Sequence, residues 1–132
     1  MVEATNLRSG NYISHIDGGI YQVKEIREGN VAVTNTNGTG ELLLDNWRPI
    51  PLIPKILMKG KFRFSGKYFE KNIHPTATLR NSFSSMKRVN LKYNLENSIL
   101  IIDNTINLSI INLHELQNVV FHLSGEELKM QF

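Results

Sequence analysis

The chain of 132 residues is 41% hydrophobic and 20% charged, which fits one globular domain with a substantial core and excludes a disordered chain. It holds no run of the roughly 20 apolar residues that a membrane span needs, and its polar start "MVEATNLRSGNY" lacks the apolar core of a secretory signal. Cysteine is absent, which excludes disulfides, thiolate nucleophiles and cysteine metal sites. We therefore predict a single cytoplasmic domain over residues 1–132, with no membrane partner.

Positive charge is concentrated in the middle of the chain. Residues 1–54 carry four Lys/Arg against six Asp/Glu, and residues 93–132 carry one against five. Residues 55–92 carry ten against one, a formal charge of +9 in a chain whose net charge is +3. Almost all of the positive field therefore comes from this basic segment.

Residues 7–50 are predicted to form a meander of four short strands. "NYISHI" and "IYQVKEI" alternate as half-buried strands do, and Asp17–Gly19 between them supplies a tight turn. "VAVTN" and "ELLL" follow after further turn residues, and Trp47 comes next as a candidate core plug or lid. Four strands joined by short turns suggest a small, bent antiparallel barrel-like sheet of the Tudor or Src-homology type.

The basic segment at 55–92 follows a break in regular structure. Three prolines between residues 49 and 54 remove backbone donors and favour extended geometry in the residues before them. "PKILMK" can then form one or two helical turns, with Pro54 near the first helical position.

A hairpin and a long loop are predicted to complete the basic segment. "KGKFRFSGKYFEK" turns at Ser65–Gly66, and its alternation buries Phe62 and Phe64 while exposing Lys61 and Arg63. "NIHPTATLRNSFSSMKR" has weak periodicity and many small polar residues, and it is predicted to be a long loop.

The last part of the chain, residues 93–132, is predicted to add strands and one helix. "VNLKYNL", "SILIID" and "TINLSII" have the composition of strands. A helix from about residue 113 to 124 follows, with Asn112 as its cap and Gly125 ending it in the left-handed conformation. The predicted fold class is therefore β-rich α+β.

The helix opens with His114 and Glu115, as a zinc hydrolase motif would. That motif needs its second histidine four residues after the first, and here the position is Asn118. His122 is one further helical turn away, and its rise of about 12 Å from His114 is too large for one ion. We therefore predict no metal site.

The polar side of this helix admits two interpretations. An apolar stripe of Leu and Val residues lies within one arc of about 120°, as expected of a helix that packs on a sheet. The polar residues outside the stripe can be solvated, or they can face a partner protein. The residues in question are His114, Gln117, Asn118 and His122.

The basic segment is the strongest functional signal. Interleaved cations and aromatic rings are typical of surfaces that bind nucleotides or single-stranded nucleic acid. We predict contacts to phosphate and base from Lys61, Arg63, Lys67, Tyr68, Arg80, Phe83, Lys87 and Arg88. The alternative is a solvated face balanced by the acidic ends of the chain. No catalytic residue and no cofactor is predicted; the expected partners are a phosphate-bearing small molecule or nucleic acid, and a second copy of the chain.

Three stretches resemble a family of small proteins encoded by phages and prophages of Bacteroidota. They are "LRSGNY" near the start, "PIPL" in the middle and "LHELQNVVFHLSGEEL" near the end. The resemblance implies an accessory protein of a mobile element in a bacterial host cytoplasm, and it transfers no catalytic residue. Such proteins often act by binding, and capture of a host defence nucleotide is one mode suggested by analogy. The residues matching the terminal motif are Leu116, Gln117, Asn118, Phe121, Leu123, Gly125, Glu126, Glu127 and Leu128.

Overall fold

A computed structural model describes residues 7–16, 18–27, 30–35, 38–43, 47–74 and 88–132. The chain divides into two compact units. The first unit consists of Met1–Pro51 with Asn112–Asn118, and the second consists of Leu52–Ile111 with Val119–Phe132.

The first unit is built on an antiparallel sheet with the strand order β4-β3-β2-β1-β5. The predicted meander of four strands is confirmed, and a short fifth strand returns to pair with β1. The sheet is not a closed barrel, because in the described chain its edge strands β4 and β5 each pair on one side only. The strands are β1 (Tyr12–His15), β2 (Ile20–Arg27), β3 (Asn30–Asn35), β4 (Gly38–Leu43) and β5 (Trp47–Arg48).

The hairpin between β1 and β2 closes where the sequence predicts a turn. His15 N–H donates to Gly19 O at 2.9 Å, and Gly18 has a φ of +90°, which glycine adopts without a steric cost. Trp47 is fully buried, and its ring meets those of His15 and Tyr21 edge-on at centroid distances of 5.0 and 5.2 Å. The predicted core role of Trp47 is confirmed. The buried cluster of this unit is Leu7, Ile13, Val23, Val33 and Trp47.

The second unit begins with helix α1 (Pro54–Lys59), with Pro54 in its first turn as predicted. A second antiparallel sheet follows, with the strand order β10-β9-β8-β7-β6. The predicted hairpin is confirmed as β6 and β7, and the three predicted later strands are confirmed as β8 to β10. Their bounds are β6 (Arg63–Ser65), β7 (Tyr68–Ile73), β8 (Val89–Asn94), β9 (Ile99–Ile102) and β10 (Ile106–Ser109).

One face of this second sheet is buried, and the strand registers show which residues share it. Phe69 lies opposite Tyr93, and Ile73 lies opposite Val89. The Tyr93 hydroxyl donates to Ile110 O at 2.8 Å, which satisfies its polar atom inside the core. The predicted loop falls largely on residues 75–87, which lie outside the described residues. Buried strand residues of this face are Phe69, Ile73, Val89, Leu91, Tyr93, Leu100 and Ile102.

Helix α2 (Leu113–Ser124) has the predicted bounds. At its start, the Asn112 N–H donates to Glu115 Oε1 at 3.1 Å, which is one half of a capping box. At its end, Gly125 has a φ of +73° and donates to Phe121 O at 2.8 Å. The apolar stripe is buried at Leu113, Leu116, Val120 and Leu123.

Candidate anion-binding site

Lys61 follows helix α1 in a backbone conformation that usually belongs to glycine. Its N–H donates to Met58 O at 3.0 Å, and the Phe62 N–H donates to Leu57 O at 3.0 Å, which is the Schellman pattern of a helix end. The left-handed residue of this motif is Lys61, with a φ of +67°. A side chain in that region costs about 1–2 kcal/mol, and functional sites are where such strain is retained.

Gly60, one residue earlier, does not relieve this strain. Its φ of −89° is open to any residue. A Cβ added to Gly60 would lie 3.1 Å from Met130 Sδ, so close packing accounts for a glycine there. Backbone preference alone would favour glycine over lysine at position 61.

Lys71 places a second ammonium group next to Lys61. The register puts it opposite Leu91, on the buried face of the second sheet between Phe69 and Ile73. Its Nζ donates to Gly60 O at 2.9 Å. Burial lowers the pKa of Lys71, and the positive charge of Lys61 lowers it further. Two like charges are thus held together at a cost, which a bound anion would offset.

Arg63 adds a third cation from the neighbouring strand. It lies opposite Glu70 in the β6–β7 register, on the face away from Lys71. The Glu70 carboxylate accepts a hydrogen bond from Ser65 Oγ at 2.9 Å. Within the described part of the chain, neither Lys61 nor Arg63 has a side-chain hydrogen bond or ion pair. Their donors are therefore available to a ligand.

These three cations line one cavity of about 550 Å³. A volume of this size lies within the range of small-molecule sites. Glu70 is the one carboxylate among the described lining residues, against three cations, so the cavity has an excess of positive charge. Guanidinium and ammonium groups bind phosphate and carboxylate oxygens by charge-assisted hydrogen bonds. The described lining consists of Lys61, Arg63, Phe64, Ser65, Glu70, Lys71 and Asn72.

The aromatic group at this cavity is Phe64, which the alternation predicts to be buried. That prediction is wrong for Phe64, which is 62% exposed, and confirmed for Phe62, which is 3% exposed. Phe64 lies on the same face as Phe69, with ring centroids 5.0 Å apart, but strand β6 is at the edge of the sheet. Since no described strand lies beyond β6, much of the Phe64 ring surface is open and can stack on a planar group.

The other predicted ligand residues divide into three groups. Lys67 and Tyr68 are not among the cavity lining; the Tyr68 ring lies 5.6 Å from Lys67 Nζ and 5.9 Å from Lys92 Nζ. The Tyr68 ring therefore lies within cation–π distance of both ammonium groups. Arg88 is exposed just before β8 and does not line the cavity. Arg80, Phe83 and Lys87 lie outside the described residues.

Sequence reasoning did not assign Lys71, Phe64, Ser65 or Asn72 to the ligand, although it counted Lys71 among the cations of the basic segment. A signal for Lys71 existed, because a lysine alternating with Phe69 and Ile73 falls on the apolar face of a strand. Phe64 carried no such signal, since its exposure depends on where β6 lies in the sheet.

The predicted partner face of helix α2 is wrong for its central residue, Gln117. Gln117 is fully buried, and its Oε1 accepts from the Tyr12 N–H at 2.7 Å while its Nε2 donates to Gly10 O at 3.0 Å. This side chain binds the backbone at the start of β1, so it cannot contact another protein. Gln117 therefore belongs to the internal structure of the first unit.

Asn118 and His114 are also engaged or covered within the chain. Asn118 Oδ1 accepts from Asn11 Nδ2 at 2.8 Å and from Arg8 Nε at 3.1 Å. His114 is 5% exposed, and burial lowers its pKa, while Glu115 opposes that shift. Only His122, which is exposed, keeps the predicted accessibility. The sequence motifs "LRSGNY" and "LQN" are thus hydrogen-bonded to each other.

The described residues also bear on metal binding and on membrane insertion. No group of three or more His, Asp or Glu side chains there could hold a metal ion. Among the helices that the structure describes, none combines the length and apolar composition needed to cross a membrane. Comparison of the chain with protein-family models, with the curated proteins and with the solved structures finds no match.

Proposed function

We propose that the protein is a non-catalytic binding protein for a phosphate-bearing ligand, held in the second unit by Lys61, Arg63 and Lys71. The observation that carries this proposal is the meeting of three cations at one cavity of about 550 Å³ with a single carboxylate among the described lining. The positive φ of Lys61, a lining residue, supports it further, because strained backbone is often found at functional sites.

The electrostatics favour a phosphate over a neutral ligand. Lys71 has three N–H donors and gives one of them to Gly60 O, which leaves two for a ligand. A bound phosphate would compensate both lysines, and its oxygens would accept from their ammonium groups. Arg63 lines the same cavity from the other face of the strand pair and offers forked donors to a further oxygen of the ligand. Asn72 and Ser65, also in the lining, can supply neutral hydrogen bonds.

The concave shape of the site favours a small nucleotide over a long nucleic acid. A duplex or a long strand contacts many phosphates over an extended basic surface, and its affinity falls steeply with salt. A cavity with three cations offers only a few contacts to phosphate. We therefore expect binding to weaken only moderately between about 50 and 200 mM salt.

The test is calorimetric titration with inorganic phosphate and a panel of nucleotides, using Arg63→Ala and Arg48→Ala. Arg48 is exposed in β5 of the first unit and is not among the described lining residues, so its variant loses the same charge without changing that lining. Arg63→Ala should weaken binding by about 10- to 150-fold, as expected for a hydrogen bond to a charged group. Arg48→Ala should bind as the parent does. Equal loss in both variants, or no binding of any probe at low salt, would overturn the proposal.

The biological setting of this function is also a proposal. The resemblance to phage and prophage proteins supports an accessory protein that holds a host signalling nucleotide, including a defence messenger. Mass spectrometry of ligands released from the protein purified from its host tests this, with the Lys61→Ala variant as control. A nucleotide released from the parent and missing from the variant is the expected result. The predicted homo-oligomer stays a prediction.

A further inference from the structure

A second cavity adjoins the anion-binding cavity within the second unit. It measures about 340 Å³, which again lies within the range of ligand sites. Lys61, Lys71 and Asn72 line both cavities, so the two meet at this shared centre. Asn72 is held in place there, because its Oδ1 accepts from Asn90 Nδ2 at 3.1 Å. A ligand bound at the centre has space on both sides.

The two outer parts differ in chemistry. The first cavity offers the exposed ring of Phe64, whose open surface suits a planar base. The second cavity has the exposed carboxylate of Glu126 in its lining, with Glu127 and Lys129 beside it. A carboxylate accepts hydrogen bonds from the hydroxyl or amino groups of a ligand. Lys61 and Lys71 are lysines that both cavities share, so a phosphate whose ligand reaches into both cavities would lie at these two residues.

We infer that the ligand is a phosphodiester with a nucleoside on each side, such as a dinucleotide, with its phosphate at Lys61 and Lys71. One base stacks on Phe64, and the sugar hydroxyls or base amino groups of the other nucleoside hydrogen-bond to Glu126. This inference rests on the proposed function and narrows its substrate class. A terminal phosphate would fill the centre but leave one of the two cavities empty.

The net charge of the probes separates this inference from simple anion attraction. A dinucleoside joined by one phosphodiester carries one negative charge, less than a nucleoside 5′-monophosphate at neutral pH. Electrostatics alone therefore favours the monophosphate. The inference predicts the reverse order, with the dinucleoside phosphate bound about tenfold or more tightly, because the second base contributes its own contacts.

Two variants test the outer parts, measured by calorimetric titration with inorganic phosphate, a nucleoside monophosphate and the dinucleoside phosphate. Phe64→Ala should weaken the dinucleoside phosphate by about fivefold or more and leave inorganic phosphate unchanged. Glu126→Ala should weaken the dinucleoside phosphate while leaving inorganic phosphate equal or tighter, because a repelling carboxylate is gone. Glu96→Ala, at an exposed acidic residue outside both cavities, is the matched control.

The outcomes distinguish this inference from the proposed function. If the monophosphate binds as tightly as the dinucleoside phosphate, the inference is wrong while the phosphate site stands. The same holds if Glu126→Ala weakens inorganic phosphate and the dinucleoside phosphate alike. Binding of an oligonucleotide far above the dinucleoside phosphate, with a steep salt dependence, would overturn it in favour of an extended single-strand surface. If no probe binds at all, the proposed function itself fails.

Discussion

Replacing Lys61 by glycine should separate stability from binding. At a φ of +67° the Lys61 side chain costs about 1–2 kcal/mol. Glycine removes that cost but gains freedom in the unfolded chain, which returns about 0.5–1 kcal/mol. The free energy of unfolding of Lys61→Gly should therefore be unchanged or higher by up to about 1.5 kcal/mol. Loss of the repulsion with Lys71 acts in the same direction.

The same substitution should damage binding. Loss of the ammonium group at the shared centre of the two cavities should weaken a phosphate-bearing ligand by about 10- to 150-fold. Urea denaturation followed by circular dichroism gives the unfolding free energy, and titration calorimetry gives the affinity. A variant that is at least as stable as the parent but binds poorly is the expected result.

Lys61→Ala is the matched control for this experiment. Alanine removes the ammonium group and its repulsion with Lys71 but keeps a Cβ at the left-handed position, so it should lose binding and gain less stability than Lys61→Gly. If Lys61→Gly is less stable than the parent by more than about 1 kcal/mol, the strain argument is wrong. If Lys61→Gly binds phosphate as the parent does, Lys61 is not part of the site.

Three further predictions concern residues that the fold buries. Gln117→Leu should lower the unfolding free energy by about 2–4 kcal/mol, because the Tyr12 N–H loses its acceptor and Gly10 O loses a donor. The exposed Gln131→Leu is the control and should change the unfolding free energy little. Burial lowers the pKa of His114 in the folded state, so the unfolded chain takes up this proton first as the pH falls, and the unfolding free energy should drop below about pH 6.5. Urea titrations at pH 5 and pH 7.5 should show a smaller loss of unfolding free energy in His114→Gln than in the parent, with His122→Gln as control. Tyr93→Phe should cost about 1–2 kcal/mol in urea denaturation through the lost bond to a buried carbonyl, and a neutral result would contradict that hydrogen bond.

The internal role of Gln117 explains why sequence reasoning gave it to a partner. At 100° per residue it lies beside the apolar stripe of helix α2, where a polar residue can be either solvated or buried. Only the backbone at the start of β1 decides between the two, because it brings the Tyr12 N–H and Gly10 O to the amide. A polar side chain at the border of a stripe therefore needs the neighbouring element before its role can be assigned.

Local chemistry in the sequence determined the secondary structure of this protein. Alternation in "NYISHI" and "VNLKYNL" predicted strands, Pro54 marked the start of α1, and Gly125 marked the end of α2, because each depends on backbone preferences within a few residues. The concentration of lysine and arginine in residues 55–92 was likewise readable without a structure. These features need no knowledge of what packs against them.

The tertiary structure alone decided which of those cations meet. Lys61 and Lys71 approach each other because the turn after α1 leads into β6, and β6 pairs with β7 in a register that the sequence does not specify. The same pairing places β6 at an edge, which leaves Phe64 exposed although its alternation matches a buried residue. The alternation of side chains indicates which face of a strand each residue lies on. Only the pairing of strands distant in sequence determines what covers that face and which charged side chains lie next to each other.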